Sequence, residues 1–262
     1  MIGFSLSPGG LLFPYHVGAL AALEYHGIVT DETPMAGSSA GAIAVCSCAA
    51  KVKPELAIDA TVRMANKCND MGGVRGNLLP LLKQELEDLL PHDVASIYEE
   101  RPGLTGFAYY QVFPPQSILA TTFETKDDVV DAVCNSSTFP FFTSNFPCRI
   151  SSSSSSNRKK RLAMDGFFTE PRDRFGCPTL PSNTAVDRTV CISPFPKDAI
   201  RLTACSTKDC ISPDPSSCNV DMIQLLEYAT QSTTSKNYNK LYDNGWEDTE
   251  RWMKEYYNAE TN

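Results

Sequence analysis

Gly37-Ser38-Ser39-Ala40-Gly41 fits the pattern G-x-S-x-G. That spacing suits a serine held on a sharp strand-to-helix turn, because flanking glycines lack a Cβ and let a strained turn pack against its neighbours. A helix starting beneath the serine adds backbone N–H donors and a positive dipole end, both useful to a developing oxyanion. The alternative is a plain Gly/Ser turn at a helix start. The short apolar segment before the motif and the Ala-rich helical pattern after it favour the nucleophile reading. A serine is a poor nucleophile without a base. The histidines, His16, His26 and His92, all lie within the first 92 residues. The α/β-hydrolase order of serine, acid, histidine therefore finds no downstream base. His16 and His26 are read as structural residues of the first helix and His92 as a surface residue. A carboxylate is the natural substitute. Asp165-Gly166 closes the apolar run Leu162-Ala163-Met164. Asp-Gly is also an ordinary turn, but α/β folds place reactive groups at strand ends. Burial raises a carboxyl pKa above its reference of about 3.9 and makes it a better proton acceptor.

Such a pair needs oxyanion donors. Ser7-Pro8-Gly9-Gly10 follows the first apolar run and precedes a helix opening near Pro14. Glycines let backbone N–H groups converge on one point, and losing one such donor costs on the order of 3 kcal/mol of transition-state stabilisation. A simple tight turn is the competing reading.

The elements that must position these residues follow from apolar spacing. Residues 2–6 read as a buried strand, residues 14–26 as a helix stopped at Gly27, and Pro34-Met35-Ala36 as a second strand. Helices are predicted over 42–50, 54–68 and 78–90. The last carries Leu78, Leu82, Leu86, Leu89 and Leu90 on one side, a core-facing helix or alternatively a lipid-facing lid. Residues 109–113 and 118–123 read as a hairpin turning at Pro114-Pro115, and 127–134 as a helix. Strands are expected at 189–192 and 201–204. The segment 220–257 reads as two or three helices broken at Asn244-Gly245. Alternating strands and helices argue for an α/β sandwich with a largely parallel sheet.

With 262 residues, 42% hydrophobic and 21% charged, the chain is of ordinary globular composition and is read as a single domain over 1–262. Its net charge of -8 argues against a general nucleic-acid binder. No apolar run approaches the ~20 residues of a membrane span, and the first residues lack the basic start of a signal peptide. A cytoplasmic or peripheral-membrane location is expected, with no targeting segment visible. The ten cysteines show no framework spacing and are expected to be free thiols. A zinc set of Cys205, Cys210 and Cys218 lacks paired CxxC knuckles and a nearby histidine, so no metal is expected. Residues 151–161 are low-complexity: six serines, then Arg158-Lys159-Lys160-Arg161. The tetrad is a solvated cluster or, alternatively, a contact for anionic lipid headgroups, at about 1 kcal/mol per cation.

The glycine-rich loop after strand one, G-x-S-x-G some 30 residues later and a distant D-G together resemble the patatin-like phospholipases. Tyr15-His16-Val17-Gly18, Gly37 to Ala42, and Ala132 to Ser137 ahead of Phe139-Pro140-Phe141 are similar to the adipose triglyceride lipase branch. The resemblance implies a three-layer α/β/α fold, a Ser–Asp dyad without metal or cofactor, and hydrolysis of lipid acyl esters: phospholipid, galactolipid or acylglycerol, at a membrane or lipid-droplet surface. Carried over, Ser39 is the nucleophile, Asp165 the base, Gly9 and Gly10 the oxyanion donors, and Gly37 and Gly41 the frame of the nucleophile elbow. Two residues depart from the pattern. Pro8 stands where the loop's first glycine would be and has no N–H to offer, and Phe167 follows Asp165-Gly166 where a small residue is usual. Acyl transfer to an alcohol, or lipid binding without catalysis, are the alternative outcomes.

Overall fold

In a computed structural model, residues 1–151, 161–214 and 222–257 are described. Strand β1 (Ile2–Leu6) runs into the glycine loop, and helix α1 (Phe13–Tyr25) returns along the sheet. Pro14 sits in the first turn of α1, where a missing N–H costs nothing. Strand β2 (Met35–Ser38) then leads directly into α2 (Ala40–Ala49). The strand thus continues through Gly37 and Ser38, further than Met35-Ala36 alone. Helix α2 is buried almost all round, which its run of alanines and cysteines permits.

Helices α3 (Pro54–Asp70), α4 (Leu78–Leu89) and α5 (Val94–Glu100) follow; α5 has no counterpart in the sequence reading. Strands β3 (Thr105–Gln111) and β4 (Gln116–Ala120) form the expected antiparallel hairpin. Helix α6 (Lys126–Ser136) opens with a reciprocal cap. The Asp128 N–H donates to Thr125 Oγ1 at 3.2 Å, and the Thr125 N–H to Asp128 Oδ2 at 3.0 Å. Strands β5 (Arg149–Ile150) and β6 (Leu162–Met164), then β7 (Arg188–Ile192) and β8 (Cys210–Ile211), complete the sheet before α7 (Met222–Thr230) and α8 (Ser235–Trp252).

Among the described residues the sheet has eight strands in the order β5-β6-β3-β2-β1-β7-β8, with β4 also on β3. Its centre is parallel, β3 to β2 to β1 to β7 to β8, and β4, β5 and β6 are antiparallel. Helices flank this sheet, so the fold is the α/β sandwich expected. Phe4, Leu6, Met35, Phe107, Val190 and Ile192 are buried with α1, α2 and α6 in one apolar core. Alternate β1 residues point to the opposite face, where the Ser5 hydroxyl donates to the Pro178 carbonyl at 2.7 Å.

Two expectations fail. Residues 201–204 form no strand: Arg201 adopts a left-handed φ of 55°, and the Thr203 and Ala204 N–H groups donate to the Asp173 carbonyl instead of a ladder. The next strand is the later β8. Helix α8 also runs through Asn244-Gly245 without a break. There a Cβ on Gly245 would stand 2.1 Å from the Tyr15 carbonyl oxygen of α1, so this glycine serves helix contact and not a turn. Of the basic tetrad, Arg158, Lys159 and Lys160 lie outside the described residues, as does Cys218; Arg161 is exposed. Among the described residues no helix is long and apolar enough to cross a membrane.

Candidate functional site

Ser39 is the single residue between β2 and α2, with φ 53° and ψ −120°. A non-glycine residue there is strained and is held by its surroundings. Its frame is backbone against backbone. A Cβ on Gly37 would stand 2.3 Å from the Gly41 carbonyl group, and one on Gly41 would stand 2.5 Å from the Leu6 carbonyl oxygen. The elbow can therefore fold over itself and sit on β1 only with glycine at both positions.

Asp165 follows the end of β6, whose Met164 pairs with Tyr110 of β3. Gly166 brings it inward: a Cβ there would stand 2.4 Å from the Ala108 carbonyl oxygen and 2.8 Å from Ser38. The structure thus brings Asp165 beside Ser39 although 126 positions separate their numbers (165 − 39). The carboxyl is fully buried. Oδ1 accepts from the Phe167 N–H at 2.9 Å, while Oδ2 has no hydrogen-bond partner. Burial raises its pKa to about 7; the Phe167 N–H and the adjacent Ser39 hydroxyl oppose that rise. Near neutral pH this group exchanges a proton readily, as a base for a serine hydroxyl must. Phe167 contributes to the site through its backbone, and its ring packs on Phe139, Phe168 and Phe175.

Gly10, at φ 56°, lines the same pocket as Ser39. Gly9 lies behind it, against Pro194, Ala40 and His16. His16 is fully buried beside the Ser7 backbone. Burial lowers its pKa to about 3, so the ring beneath the loop is a neutral imidazole. His26 caps the end of α1 with Nε2 3.7 Å from Glu250, and His92 is exposed. The carboxylate is thus the titratable group beside Ser39.

The end of α6 holds both halves of the site, a feature the sequence reading missed. The Ser39 N–H donates to Ser136 Oγ at 2.9 Å, and the Asp165 N–H donates to the Thr138 carbonyl at 2.8 Å. The sequence signal was the polar run Asn135 to Thr138 within the family-like segment that closes this helix. From Ser39 a narrow apolar pocket extends between Leu11, Phe13, Ile43, Met64, Leu78, Leu79 and Leu82. Helix α4 is therefore core-facing, as expected, and also forms one wall of this pocket. Among the described residues no group of three or more His, Cys, Asp or Glu is arranged to hold a metal ion.

Comparison with known proteins shows a family for the chain. The chain is similar to the human (Homo sapiens) 1-acylglycerol-3-phosphate O-acyltransferase PNPLA3, 29% identical over 153 residues. That match covers 55% of this chain and 31% of the relative, so the chain corresponds to about a third of that protein. Two solved structures resemble it over 97% of its length. VipD from Legionella pneumophila has TM-score 0.47, 11% identity and 67% of its chain covered. The ExoU–SpcU complex of the type III secretion system of Pseudomonas aeruginosa has TM-score 0.49, 16% identity and 52% of its chain covered. The family model for patatin-like phospholipase matches residues 4–173, spanning the glycine loop, the elbow and the Asp-Gly turn. The chain belongs to the patatin-like phospholipase family.

Proposed function

We propose that the chain is one acyl-transferring domain that cleaves the carboxylic esters of lipids through Ser39 and Asp165. The observation that carries this reading is a serine on a strained elbow, at the mouth of an apolar pocket, beside a buried carboxyl whose pKa lies near 7. Ser39 Oγ attacks the ester carbonyl while Asp165 accepts the hydroxyl proton. The tetrahedral oxyanion takes hydrogen bonds from the N–H groups of Gly10 and Gly9; Pro8 can supply none. Collapse expels the alcohol, which takes the proton back from Asp165, and leaves an acyl group on Ser39. Asp165 then deprotonates a water that releases the fatty acid. The acyl chain lies among Leu78, Leu79, Leu82 and Met64, whose burial of each methylene contributes about 0.8 kcal/mol.

The same acyl-enzyme can pass to an alcohol instead of water. The human relative is named as an acyltransferase, which favours keeping that second reading. Exposed Phe141, Phe146 and Phe168 support approach to a lipid surface. Arg158 to Arg161 are proposed to contact anionic headgroups. Neutralising all four should weaken binding to anionic vesicles at low salt, and unchanged binding removes them from that role.

Fluorophosphonate labelling with the modified residue located by mass spectrometry tests the central reading. Modification at Ser39, lost in Ser39→Ala, is the expected result. A folded protein that does not label at Ser39 overturns it. Unlabelled protein given phospholipid with and without a lysophospholipid acceptor then separates hydrolysis from transfer.

A further inference from the structure

Away from Ser39, four cysteines converge from two strands and two loops. Cys177 follows the turn at 172–174, Cys191 lies on β7, Cys205 in the loop before β8, and Cys210 begins β8. Cys191 and Cys210 are direct partners across the parallel β7–β8 pair, so they leave the sheet on one face. Cys177, Cys191 and Cys210 are buried in one cluster with Leu202, and the part-exposed Cys205 packs against it. The Cys191 thiol neighbours those of Cys177 and Cys205, and Cys205 also neighbours Cys210. Cys205 therefore sits between two thiols and has access to solvent.

The remaining buried thiols behave differently. Cys46 and Cys134 sit in the main apolar core, where burial pushes each pKa up to about 12 and keeps the thiol inert. At Cys205 the hydrogen bonds from Cys191 and then Cys210 favour the thiolate, outweighing burial, and the Lys197 and Arg174 charges add to them. Apolar packing does not call for four sulfurs together, since valine or leucine would fill the same volume. Nor are these residues arranged to hold a metal ion. What the cluster offers is an accessible thiol with two more in reach.

We propose that Cys205 is a peroxide-reactive thiol that, once oxidised, closes a reversible disulfide onto Cys191 or Cys210. The oxidant is hydrogen peroxide or an organic hydroperoxide. The Cys205 thiolate attacks the peroxide oxygen and the O–O bond breaks. The departing hydroxide or alkoxide takes a proton, leaving Cys205 as a sulfenic acid. The neighbouring thiol then attacks that sulfur, the S–O bond breaks, and water leaves with the thiol proton. Two thiols have given two electrons to one peroxide, and a dithiol reductant reverses the disulfide by exchange.

The test uses the whole chain. At pH 7, limiting iodoacetamide should modify Cys205 about tenfold faster than Cys148, the other part-exposed cysteine among those described. After stoichiometric hydrogen peroxide and blocking of free thiols, non-reducing peptide mapping should recover Cys205 linked to Cys191 or Cys210. Dithiothreitol should abolish that linkage, and Cys205→Ser should leave both partners reduced. Equal alkylation of Cys205 and Cys148, no linkage after peroxide, or a Cys205 linkage to any other cysteine overturns the proposal. The alkylation and mapping are read on the unmodified sequence, so they decide the matter even where Cys205→Ser fails to fold.

Discussion

Two places in the molecule press backbone against backbone through paired glycines: the Ser39 elbow and the crossing of α1 with α8. At the elbow, Cβ atoms on Gly37 and Gly41 would stand 2.3 Å from Gly41 and 2.5 Å from Leu6. At the crossing, a Cβ on Gly18 would stand 2.0 Å from the Tyr242 carbonyl oxygen, and one on Gly245 2.1 Å from that of Tyr15. The crossing is sealed by the Tyr15 hydroxyl donating to Asp248 at 2.7 Å, and by Arg251 paired with the same carboxylate. Distances are alike, yet the purposes differ. The elbow folds a few consecutive residues over themselves and aims one side chain. The crossing brings together helices from opposite ends of the chain and aims nothing. It sets the depth of α1, whose start carries the glycine loop.

The comparison predicts a separation between chemistry and stability. The largest effect is expected where neither glycine pair is touched. Asp165→Asn should slow fluorophosphonate labelling of Ser39 by about 10³-fold while the protein stays folded. In the wild type, labelling should rise with pH through about 7 as the carboxyl ionises. Stability should move the other way. The folded pKa is raised from 3.8, so the contribution of this group is fully present below about pH 4 and is lost as pH rises through about 7. Asp165→Asn should flatten that dependence in urea unfolding. Labelling at the wild-type rate would remove the carboxyl from the reaction.

Next is Gly37→Ala, whose Cβ has no space against the Gly41 backbone. Labelling should fall about 100-fold and stability by about 3 kcal/mol. If the variant labels normally, the elbow does not need its glycine frame. Ser136→Ala probes the elbow from outside, by removing the acceptor of the Ser39 N–H. Labelling should slow about tenfold, with about 1 kcal/mol lost. A stability loss with unaltered labelling would make Ser136 a packing residue. The smallest chemical effect belongs to the crossing. Gly245→Ala gains about 1 kcal/mol of helix propensity but forces the helices apart, at roughly 1–3 kcal/mol. A net loss of about 1 kcal/mol is expected, with the labelling midpoint near pH 7 unmoved. A shifted midpoint would show that the crossing reaches the site.

The contrast also explains what could be read before folding. The elbow's glycines lie four positions apart, and their demands arise within one turn, so the motif is visible in a short window. Gly245 looks the same as any glycine after asparagine. Its partner is the Tyr15 carbonyl at the far end of the chain, and so it was taken for a helix break. Residues 201–204 misled in a similar way: the alternation of Leu202 and Ala204 fits a strand, but the Asp173 carbonyl captures the Thr203 and Ala204 N–H groups, and the Leu202 N–H donates to the Lys197 carbonyl. Helix α5 was missed because seven residues hold too little periodicity to register.

By itself, the sequence determined the order of the elements around β1 and β2, the G-x-S-x-G turn at Ser39, and the scarcity of histidine from which a carboxylate base is expected. Each of these is set by short-range sterics or by composition. Only the tertiary structure decided that Asp165 lies against Ser39 without solvent, that its pKa rises to about 7, and that the end of α6 holds both residues through Ser136 and Thr138. It also decided that four scattered cysteines meet beside β7 and β8. These are consequences of desolvation and of long-range approach. They depend on what surrounds a group in space, which neighbouring letters in a chain do not encode.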